Sequence, residues 1–507
     1  AIAFPAMIFY VFATGMEASV VRAAIMAGVI LAGMLLWRKS DIYCSIAFSA
    51  IIMLLNNSFV LYDMGFVLSY SATLSLIIFY KPLFERLPAK IPKLIRDILA
   101  GTIAAQIGVM PIIAYCFNTF SVISVLSNLL TAPLTGVLTV LGALVAILGS
   151  ICFPVGQAIG VLARIVADII LFVTGWVAGI PWAEISIATP SFVLVIIYYF
   201  LILYFRFCHP RIDRKTSRPF AAAILAVCGV MMVLISIPNR ALKIYFADVG
   251  QGDCALIRTP AGRNIIIDGG GSINDEKGSY AGERIVLPLL YNLNMTQIDL
   301  MIASHGHMDH IGGLKTVLDK VKVKNLMVAD AADTEMNELT SKAHDMGIPV
   351  TRMKEGDILY QEDGLVLKAI YPLEEEWLMP KAPVANANEL SLVVRLDYGD
   401  FNALFTGDIG FETEKRLMND NANLNCDLLK VAHHGSKYSS DKEFLARANP
   451  SLAVISVGRN TYGHPDPATL DRLTSQGTRV LKTIESGGIL VEVWEKEDRM
   501  RVTTVVN

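Results

Sequence analysis

Long apolar runs separated by short polar breaks fill the first 238 residues, and they constrain the fold more than any other feature. A membrane-spanning helix needs about 20 mostly apolar residues. The runs that meet this requirement predict spans at 1–14, 20–37, 41–57, 64–80, 98–117, 130–152, 155–179, 189–206 and 218–237. The apolar stretch 118–128 is too short to span, which favours a re-entrant segment or a membrane-surface helix. So many consecutive runs argue against buried globular helices, and we predict a polytopic α-helical membrane domain over residues 1–238.

Residues 239–507 mix strand-like runs, turns and charges, which is typical of a water-soluble α/β domain. The chain of 507 residues is 54% hydrophobic and 18% charged, which is too apolar for an ordinary soluble enzyme. A net charge of -3 gives no indication of a nucleic-acid partner. Seven scattered cysteines without a CxxC pair indicate neither a disulfide framework nor a cysteine zinc site. Ala1 lies within an apolar run without a basic leader, so we expect a piece of a longer protein.

Lysine and arginine residues in short loops predict which way the spans face. Three connections carry clustered basic residues, at 38–39, 81–97 and 206–218, whereas the other loops carry almost none. An even number of predicted spans separates these connections, so all three can be cytoplasmic. The last span then leaves the cytoplasm, and the soluble domain is expected on the outer face of the cell membrane.

Polar side chains inside predicted spans are costly in lipid, so they indicate either a water-filled path or partners within the bundle. Arg164 and Asp168 have the i,i+4 spacing of a helical ion pair. Pro111 and Pro133 are expected to break their helices and to line a cavity with irregular backbone. Interfacial anchoring or bonding between helices stays open for each residue. The candidate path residues are Glu17, Arg22, Asp63, Gln106, Asn118, Asn128, Arg164 and Asp168.

Residues 304–313 read SHGHMDHIGG and contain three of the eight histidines of the chain. A β-type run precedes them and a helical pattern follows, so they lie on a strand-to-helix turn where side chains converge. His305 and His307 flank a glycine and can face one cation, while Asp309 and His310 can face a second. Imidazole and carboxylate ligands suit Zn or Mn. Two divalent metal ions would clamp a phosphoryl group and activate water.

Five further segments end predicted strands in polar residues. They read FADVGQGD (246–253), NIIIDGGG (264–271), ALFTGD (403–408), LLKVAHHGS (428–436) and GHPDP (463–467). These segments supply Asp248, Asp268, Asp408, His433, His434 and His464 as further candidates, and Asp408 is well suited to bridge two metals. The two remaining histidines, His209 and His344, are expected at the surface.

Together these segments resemble the metallo-β-lactamase superfamily, whose fold is an αβ/βα sandwich of two sheets flanked by helices. His305-x-His307-x-Asp309-His310 is similar to its signature, and the resemblance implies that Asp408 is the bridging carboxylate. Many members carry a further metal-binding histidine before the TGD strand, where this chain reads ANANELS at 385–391. The resemblance therefore implies the adjacent pair His433 and His434 as the remaining ligands, with Asn388, Asp248 and Asp268 in supporting positions.

A finer similarity is to the ComEC family of bacterial DNA-uptake channel proteins. FADVGQGDC, IDGGG, SHGHMDHIGG, LFTGDIG, VAHHGSKYSS and ISVGRNTYGHPDP resemble its nuclease-like domain. SVVRAAIM, LYDMGFVLSYSA and AAQIGVMPIIAYCFNTFSVISVLSNLLTAPL resemble its channel domain. The resemblance implies double-stranded DNA outside, single-stranded DNA crossing the lipid bilayer, an outer DNA receptor and a cytoplasmic ATP-driven translocase. A homo-oligomer stays open.

The expected reaction is hydrolysis of the strand that is not transported. Asp309 and Asp408 would hold the metals, while His464 or Lys437 would stabilise charge on the phosphate. Tyr438, next to Lys437, would stack on a base. Two alternatives remain: an outer domain that guides DNA without catalysis, and a membrane-tethered metallo-phosphoesterase that acts on another substrate.

Overall fold

The computed structural model describes residues 3–38, 41–180, 182–208, 241–272, 279–329, 334–362, 364–373, 387–494 and 499–506. The chain divides into two compact units, 1–213 and 214–507. This division and the predicted domain boundary at 238/239 both fall outside the described residues, so the boundary stays a prediction. The predicted span 218–237 and His209 also lie outside them.

The first unit is built from apolar helices joined by short connections. Its helices are α1 (Ala3–Ala13), α2 (Ala18–Leu35), α3 (Ile42–Asn56), α4 (Met64–Arg86), α5 (Lys93–Phe117), α6 (Ser124–Ile151), α7 (Phe153–Ala178) and α8 (Phe192–Leu203). Five of them, α2 and α4 to α7, are long and apolar enough to cross a membrane, whereas α3 and α8 are shorter. Each helix overlaps a predicted span, and the predicted α-helical membrane architecture is confirmed.

The stretch 118–128 differs from its prediction. Strand β1 (Thr119–Ser121) pairs antiparallel with β2 (Glu184–Ser186), and α6 already begins at Ser124. Asn118 ends α5 with a left-handed φ of 58°, and its buried side chain donates a hydrogen bond to Thr189 Oγ1 at 2.6 Å. A surface helix over 119–121 is therefore wrong, because the backbone groups there pair with a strand far along the chain. The re-entrant segment stays a prediction.

Pro111 and Pro133 were expected to break their helices, but α5 and α6 continue through both residues. Since proline has no N–H, Pro111 leaves the carbonyl of Ile107 without its helical donor. Tyr198 Oη donates a hydrogen bond to that carbonyl at 3.0 Å. Tyr199 Oη donates to the carbonyl of the next residue at 2.6 Å. Tyr198 therefore satisfies a backbone oxygen that an apolar environment would otherwise leave unpaired, and Tyr199 adds a donor to the next carbonyl.

Several candidate path residues join neighbouring helices. Arg22 of α2 donates to Ser69 Oγ at 2.8 Å and to Thr73 Oγ1 at 2.5 Å, both on α4. Gln106 of α5 donates to the hydroxyl of Ser124 at the start of α6. These contacts agree with hydrogen bonding between helices, the alternative to a water-filled path, and the path itself stays a prediction.

The other path candidates lie at helix ends or on exposed faces. Asp63 caps α4 by accepting a hydrogen bond from the backbone N–H of Phe66, while Glu17 precedes α2 without a side-chain cap. Arg164 and Asp168 form the expected i,i+4 ion pair at 3.7 Å on an exposed face of α7. Asn128 is exposed on α6.

Changing Tyr198 to Phe removes the hydroxyl that donates to the Ile107 carbonyl. We expect the free energy of unfolding in detergent to fall by about 1–2 kcal/mol. In a Pro111→Ala background, residue 111 regains its N–H and can pair with Ile107 itself, so the same change should cost less. A double-mutant cycle of unfolding measurements tests this coupling. Equal losses in both backgrounds would contradict it, and Tyr115→Phe is the control for loss of a tyrosine hydroxyl.

The second unit is a sandwich of two mixed sheets. Strands of the first sheet are β3 (Leu242–Phe246), β4 (Ala255–Arg258), β5 (Asn264–Ile267), β7 (Leu300–Ala303), β9 (Leu326–Ala329), β10 (Val350–Met353), β18 (Ile489–Trp494) and β19 (Arg499–Thr504). Strands of the second are β11 (Ile358–Glu362), β12 (Leu365–Tyr371), β13 (Val393–Tyr398), β14 (Phe401–Phe405), β15 (Leu428–Lys430), β16 (Leu452–Ile455) and β17 (Arg479–Lys482). The first sheet has the order β10-β9-β7-β5-β4-β3-β18-β19 and the second the order β11-β12-β13-β14-β15-β16-β17. A small pair, β6 (Gln297–Ile298) and β8 (Lys322–Val323), lies apart from both sheets.

Three layers of apolar side chains hold the sandwich together. Alternate residues of facing strands, such as Ile244 and Val394, form the core between the sheets, as the period of two in a strand requires. The outer face of the first sheet packs on helices that include α9 (Leu287–Asn292), α10 (Met308–Lys320) and α11 (Thr334–Asp345). The outer face of the second sheet packs on α12 (Phe411–Asn419), α13 (Lys442–Ala448) and α14 (Pro467–Ser475). This arrangement confirms the predicted αβ/βα sandwich.

Both sheets contain parallel strands whose carboxyl ends carry the polar segments. In the first sheet β5, β7 and β9 run parallel, and in the second β14, β15 and β16 do. Loops that follow parallel strands meet at one edge of a sheet and are where α/β proteins usually bind ligands. The functional site is therefore expected among the residues that follow β5, β7, β14, β15 and β16.

Candidate metal centre

Four possible ligands meet where these loops converge. Ligand atoms of Asp309, His310, Asp408 and His434 all lie within 4.8 Å of one another. His434 Nε2 lies 3.3 Å from Asp309 Oδ2 and 3.6 Å from Asp408 Oδ2, and His310 Nε2 lies 3.3 Å from Asp408 Oδ2. Two oxygens and two nitrogens from three segments thus meet at one place, although Asp309 and Asp408 lie 99 positions apart in the sequence.

The distal nitrogens of both imidazoles are held by fixed acceptors. His310 Nδ1 lies 2.9 Å from Asp268 Oδ2, and Asp268 accepts hydrogen bonds from the backbone N–H and hydroxyl of Ser304. His434 Nδ1 lies 2.9 Å from the carbonyl oxygen of Ser456. Such partners fix the tautomer and ring orientation of metal-binding histidines. Both Nε2 atoms are therefore directed at the cluster. Asp268 lies against the far side of the His310 ring, and its supporting role stays a prediction.

Glycines let the turn after β5 approach the start of α10. A Cβ on Gly271 would lie 2.0 Å from the carbonyl oxygen of Met308, and one on Gly313 would lie 2.0 Å from that of Gly269. Backbone hydrogen bonds tie the same segments together, including Gly313 N–H to the carbonyl of Gly270 at 2.8 Å. The repeated glycines in IDGGG and HIGG thus place Asp268 beneath His310, because any larger residue would push the two segments apart.

A buried ion pair lies below the cluster and was not assigned a role from the sequence. The ammonium of Lys430 contacts Asp253, lies 3.8 Å from Asp408 Oδ1, and donates a hydrogen bond to the carbonyl of Gly407 at 3.1 Å. Asp253, Asp268 and His310 form a second group of three possible ligands, and the Lys430 ammonium supplies a positive charge beside it. Asp253 ends the segment FADVGQGD (246–253). Its place just after a strand is the sequence feature that could have identified it as a site residue.

Carboxylates decide the charge of the two clustered histidines when no metal is bound. Burial alone would lower the pKa of His434, but Asp408 and Asp253 outweigh it and raise that pKa to about 10. Burial likewise opposes protonation of His310, yet Asp408 and Asp268 hold its pKa well above the usual value. The metal-free protein therefore keeps both imidazoles protonated at neutral pH, and these protons offset negative charge in the cluster.

A polar cavity of about 500 Å³ opens onto the cluster, and its lining includes His307, Asn388, His433 and His464. His305 is fully buried and its Nε2 lies 3.2 Å from His307 Nδ1. His433 Nε2 lies 3.3 Å from Asn388 Nδ2. Burial lowers the pKa values of His305, His433 and His464, which favours neutral imidazoles. These residues border the four-ligand cluster but belong to neither ligand group found among the described residues.

Two predicted site residues lie elsewhere. Asp248 is exposed and accepts a hydrogen bond from the Gly250 N–H within its own turn, at 3.3 Å. Lys437 is exposed, and its ammonium lies over the ring of Tyr438 at 4.8 Å from the centroid. Neither residue lines the cavity. Their predicted roles in support and in phosphate stabilisation stay predictions.

The donor set fits a divalent transition metal. His310 Nε2 and Asp408 Oδ1 are buried at the centre of the cluster without a hydrogen-bond partner, and unpaired buried polar atoms are costly unless another group binds them. Mixed imidazole and carboxylate ligands in a compact group suit Zn or Mn. The arrangement therefore forms a candidate metal centre that four residues would hold.

Metal affinity should rise steeply with pH, because a metal ion binds imidazole only after its proton leaves. With His310 and His434 both protonated in the metal-free state, we expect the logarithm of the association constant to rise with a slope of about 2 between roughly pH 6 and 8. Competition against a chelator at several pH values measures the slope. His344→Ala, which removes an exposed histidine outside the site, should leave it unchanged. A slope near zero would contradict the charge states given above.

The chain matches two protein-family models. Residues 1–211 match the model described as Competence protein, and residues 247–459 match the model of the Metallo-beta-lactamase superfamily. Together these matches cover the helical unit and most of the sandwich.

Individual relatives agree with this assignment. ComE operon protein 3 from Bacillus subtilis (strain 168) is 31% identical over 503 residues, which cover 95% of this chain and 62% of that protein. Competence protein ComA from Neisseria gonorrhoeae is 28% identical over 77% of this chain and 50% of its own length. The chain thus spans less than two thirds of the length of either relative.

Among solved structures, a putative metal-dependent hydrolase from Parabacteroides distasonis ATCC 8503 aligns with 48% of this chain and 93% of its own. Its identity is 13% and its TM-score 0.29, too low to support an argument about the site. The two family matches and the aligned relatives carry the assignment. The chain therefore matches the Competence protein family over residues 1–211 and the Metallo-beta-lactamase superfamily over residues 247–459, which confirms the resemblance to the ComEC family.

Proposed function

We propose that the chain takes part in DNA uptake, and that its sandwich domain is a metal-dependent phosphodiesterase that degrades the strand that is not transported. The single observation that carries this proposal is the buried cluster of Asp309, His310, Asp408 and His434, open to a polar cavity. A domain that merely guided DNA would not need four converging ligands with oriented imidazoles. A surface patch of lysine and arginine would be enough to bind the backbone.

Asp309, His310, Asp408 and His434 would hold one divalent ion. His305, His307 and His433 would contribute to a second, with Asp408 as the shared ligand, and Zn or Mn suits both sets. When bound, such ions polarise a phosphoryl group and lower the pKa of water. His305 and His433 already have lowered pKa values, so they would offer neutral nitrogens at neutral pH.

Residues of the chain would position the substrate around these ions. His464 lines the cavity, and its ring centroid lies 5.5 Å from that of His433. From there its imidazole would donate a hydrogen bond to a non-bridging phosphate oxygen. The paired acceptors Asp268 and Ser456 would keep His310 and His434 from rotating when substrate enters. Lys437 would contact the nucleic-acid backbone farther from the reacting phosphate.

The helical unit would provide the route for the other strand. The basic connections at 38–39, 81–97 and 206–218 favour a cytoplasmic location for those loops, and thereby an extracytoplasmic sandwich domain. Double-stranded DNA would then reach the metal centre outside the cell membrane, and one strand would pass through the bilayer. An outer DNA receptor and a cytoplasmic ATP-driven translocase complete this proposal, and a homo-oligomer is compatible with it.

Asp408→Asn should abolish metal binding and reduce cleavage of linear DNA by at least about 100-fold. Asp268→Asn leaves the four ligands of the Asp309, His310, Asp408 and His434 cluster in place but weakens the orientation of His310, so we expect a loss of about 10- to 100-fold. The assay uses the full chain in nanodiscs with Mn²⁺ or Zn²⁺, labelled duplex DNA and elemental analysis of bound metal.

Asp420→Asn, which neutralises an exposed carboxylate just after α12, is the matched control and should cleave normally. Native protein that binds metal but cleaves no DNA would refute the nuclease proposal and leave the guiding role. Preferential hydrolysis of small phosphoesters, without competition by DNA, would instead favour a tethered phosphoesterase.

The proposed orientation predicts which loops are accessible from outside. A cysteine introduced as Asp420→Cys should react with a membrane-impermeant maleimide in intact spheroplasts, whereas Lys90→Cys should react only after permeabilisation. Both positions are exposed in their own units, and the unsubstituted chain measures the background from its own cysteines. The reverse labelling pattern would place the sandwich domain in the cytoplasm and rule out the proposed topology.

A further inference from the structure

An exposed tyrosine at the mouth of the metal cavity has no part in the chemistry described above. Tyr462 keeps 65% of its surface exposed, yet it lines the same cavity as Asp408 and His433. Single exposed aromatic residues are common on protein surfaces. What distinguishes Tyr462 is its position beside the candidate ligands and the way its loop is held.

The side chain of Asn460 fixes the loop that presents this ring. Asn460 Oδ1 accepts hydrogen bonds from the backbone N–H groups of Tyr462 and His464, both at 3.1 Å. Its Nδ2 donates to the carbonyls of Gly458 at 2.9 Å and His464 at 2.8 Å. One amide group thus makes four hydrogen bonds within seven residues, and a ligand that contacts the ring would lose little free energy in ordering the loop.

The same loop is tied to the segment that carries the histidine pair. The Asp466 N–H donates to the carbonyl of Gly435 at 2.9 Å. Gly458 packs so closely on the turn after β3 that an added Cβ would lie 2.4 Å from the carbonyl carbon of Gly250. The loop that carries Tyr462 is therefore fixed both to the segment with the histidine pair and to the turn after β3.

A row of rings connects Tyr462 with the candidate ligands. Its ring centroid lies 6.1 Å from that of His464 at an interplanar angle of 36°. The His464 centroid in turn lies 5.5 Å from that of His433, at 80°. The open face of Tyr462 thus lies two rings away from the metal centre, a separation that suits the nucleotide next to a phosphate bound there.

We propose that Tyr462 is a base-stacking residue: the base next to the phosphate at the metal centre leaves its own stack and packs on the Tyr462 ring. The inference rests on the proposed nuclease function and narrows its substrate to single strands and frayed duplex ends. A base inside an intact duplex has both faces covered and must be extruded first, which costs free energy. Every base has a face that can stack on an aromatic ring, so cleavage would depend little on the DNA sequence.

Binding of a single-stranded phosphorothioate oligonucleotide with one 2-aminopurine tests the stacking step without cleavage. The full chain in nanodiscs, loaded with Mn²⁺, should quench the 2-aminopurine fluorescence on binding. Tyr462→Ala should lose the quenching and weaken binding by about 5- to 100-fold, whereas Tyr462→Phe keeps a ring and should retain both. Tyr280→Ala, at an exposed tyrosine that does not line the cavity, is the matched control.

An abasic version of the oligonucleotide supplies the reciprocal test. Without a base to stack, the native chain and Tyr462→Ala should bind it with the same Kd. If Tyr462→Ala changes neither quenching nor Kd on the base-containing strand, the stacking role is overturned even where nuclease activity is found. If quenching depends on Tyr462 but metal-loaded protein never cleaves DNA, the hydrolysis proposal fails and the stacking role stands. Absence of binding by the native chain overturns the inference.

Discussion

Buried negative charge at the edge of the sandwich is the constraint on which the rest of the site depends. Asp253 and Asp408 lie beside the ammonium of Lys430, while Asp268 and Asp309 belong to the same two groups of possible ligands. Carboxylates removed from water are strongly destabilising unless they are paired. Protons on the neighbouring histidines supply the balance when metal is absent, and a divalent ion would replace those protons. The same imbalance thus explains the raised histidine pKa values and the fit to a metal.

Backbone geometry at strand ends makes this concentration of charge possible. The glycines after β5 and within α10 let two segments touch, and consecutive left-handed residues at His433 and His434, with φ of 51° and 52°, turn the chain sharply after β15. Such φ values are unfavourable for residues other than glycine and persist where the surrounding structure enforces them. The sandwich enforces them here because β15 is a central strand with its ladder filled on both sides.

In the helical unit, the partners of several polar groups are neutral hydroxyls and carbonyls. Pro111 removes a helical donor within an apolar helix, and two tyrosines of α8 supply hydroxyl donors to the carbonyls nearby. Arg22 and Gln106 find hydroxyl partners on adjacent helices. In both units polar groups removed from water are satisfied by residues distant in sequence, since nearby residues are committed to the helix or strand.

The sequence by itself determined the division into an apolar helical half and an α/β half, the superfamily that the second half resembles, and most of the residues that surround the candidate metal centre. These features follow from local patterns: runs of apolar residues, and polar residues placed directly after strands. Tertiary structure alone decided that 119–121 pairs as a strand, that Pro111 leaves its helix intact, and that Lys430 lies beneath Asp408 while Lys437 lies elsewhere. Each of these depends on a partner contributed by a distant segment, and the spacing of residues along one chain carries no information about which distant segment will arrive there.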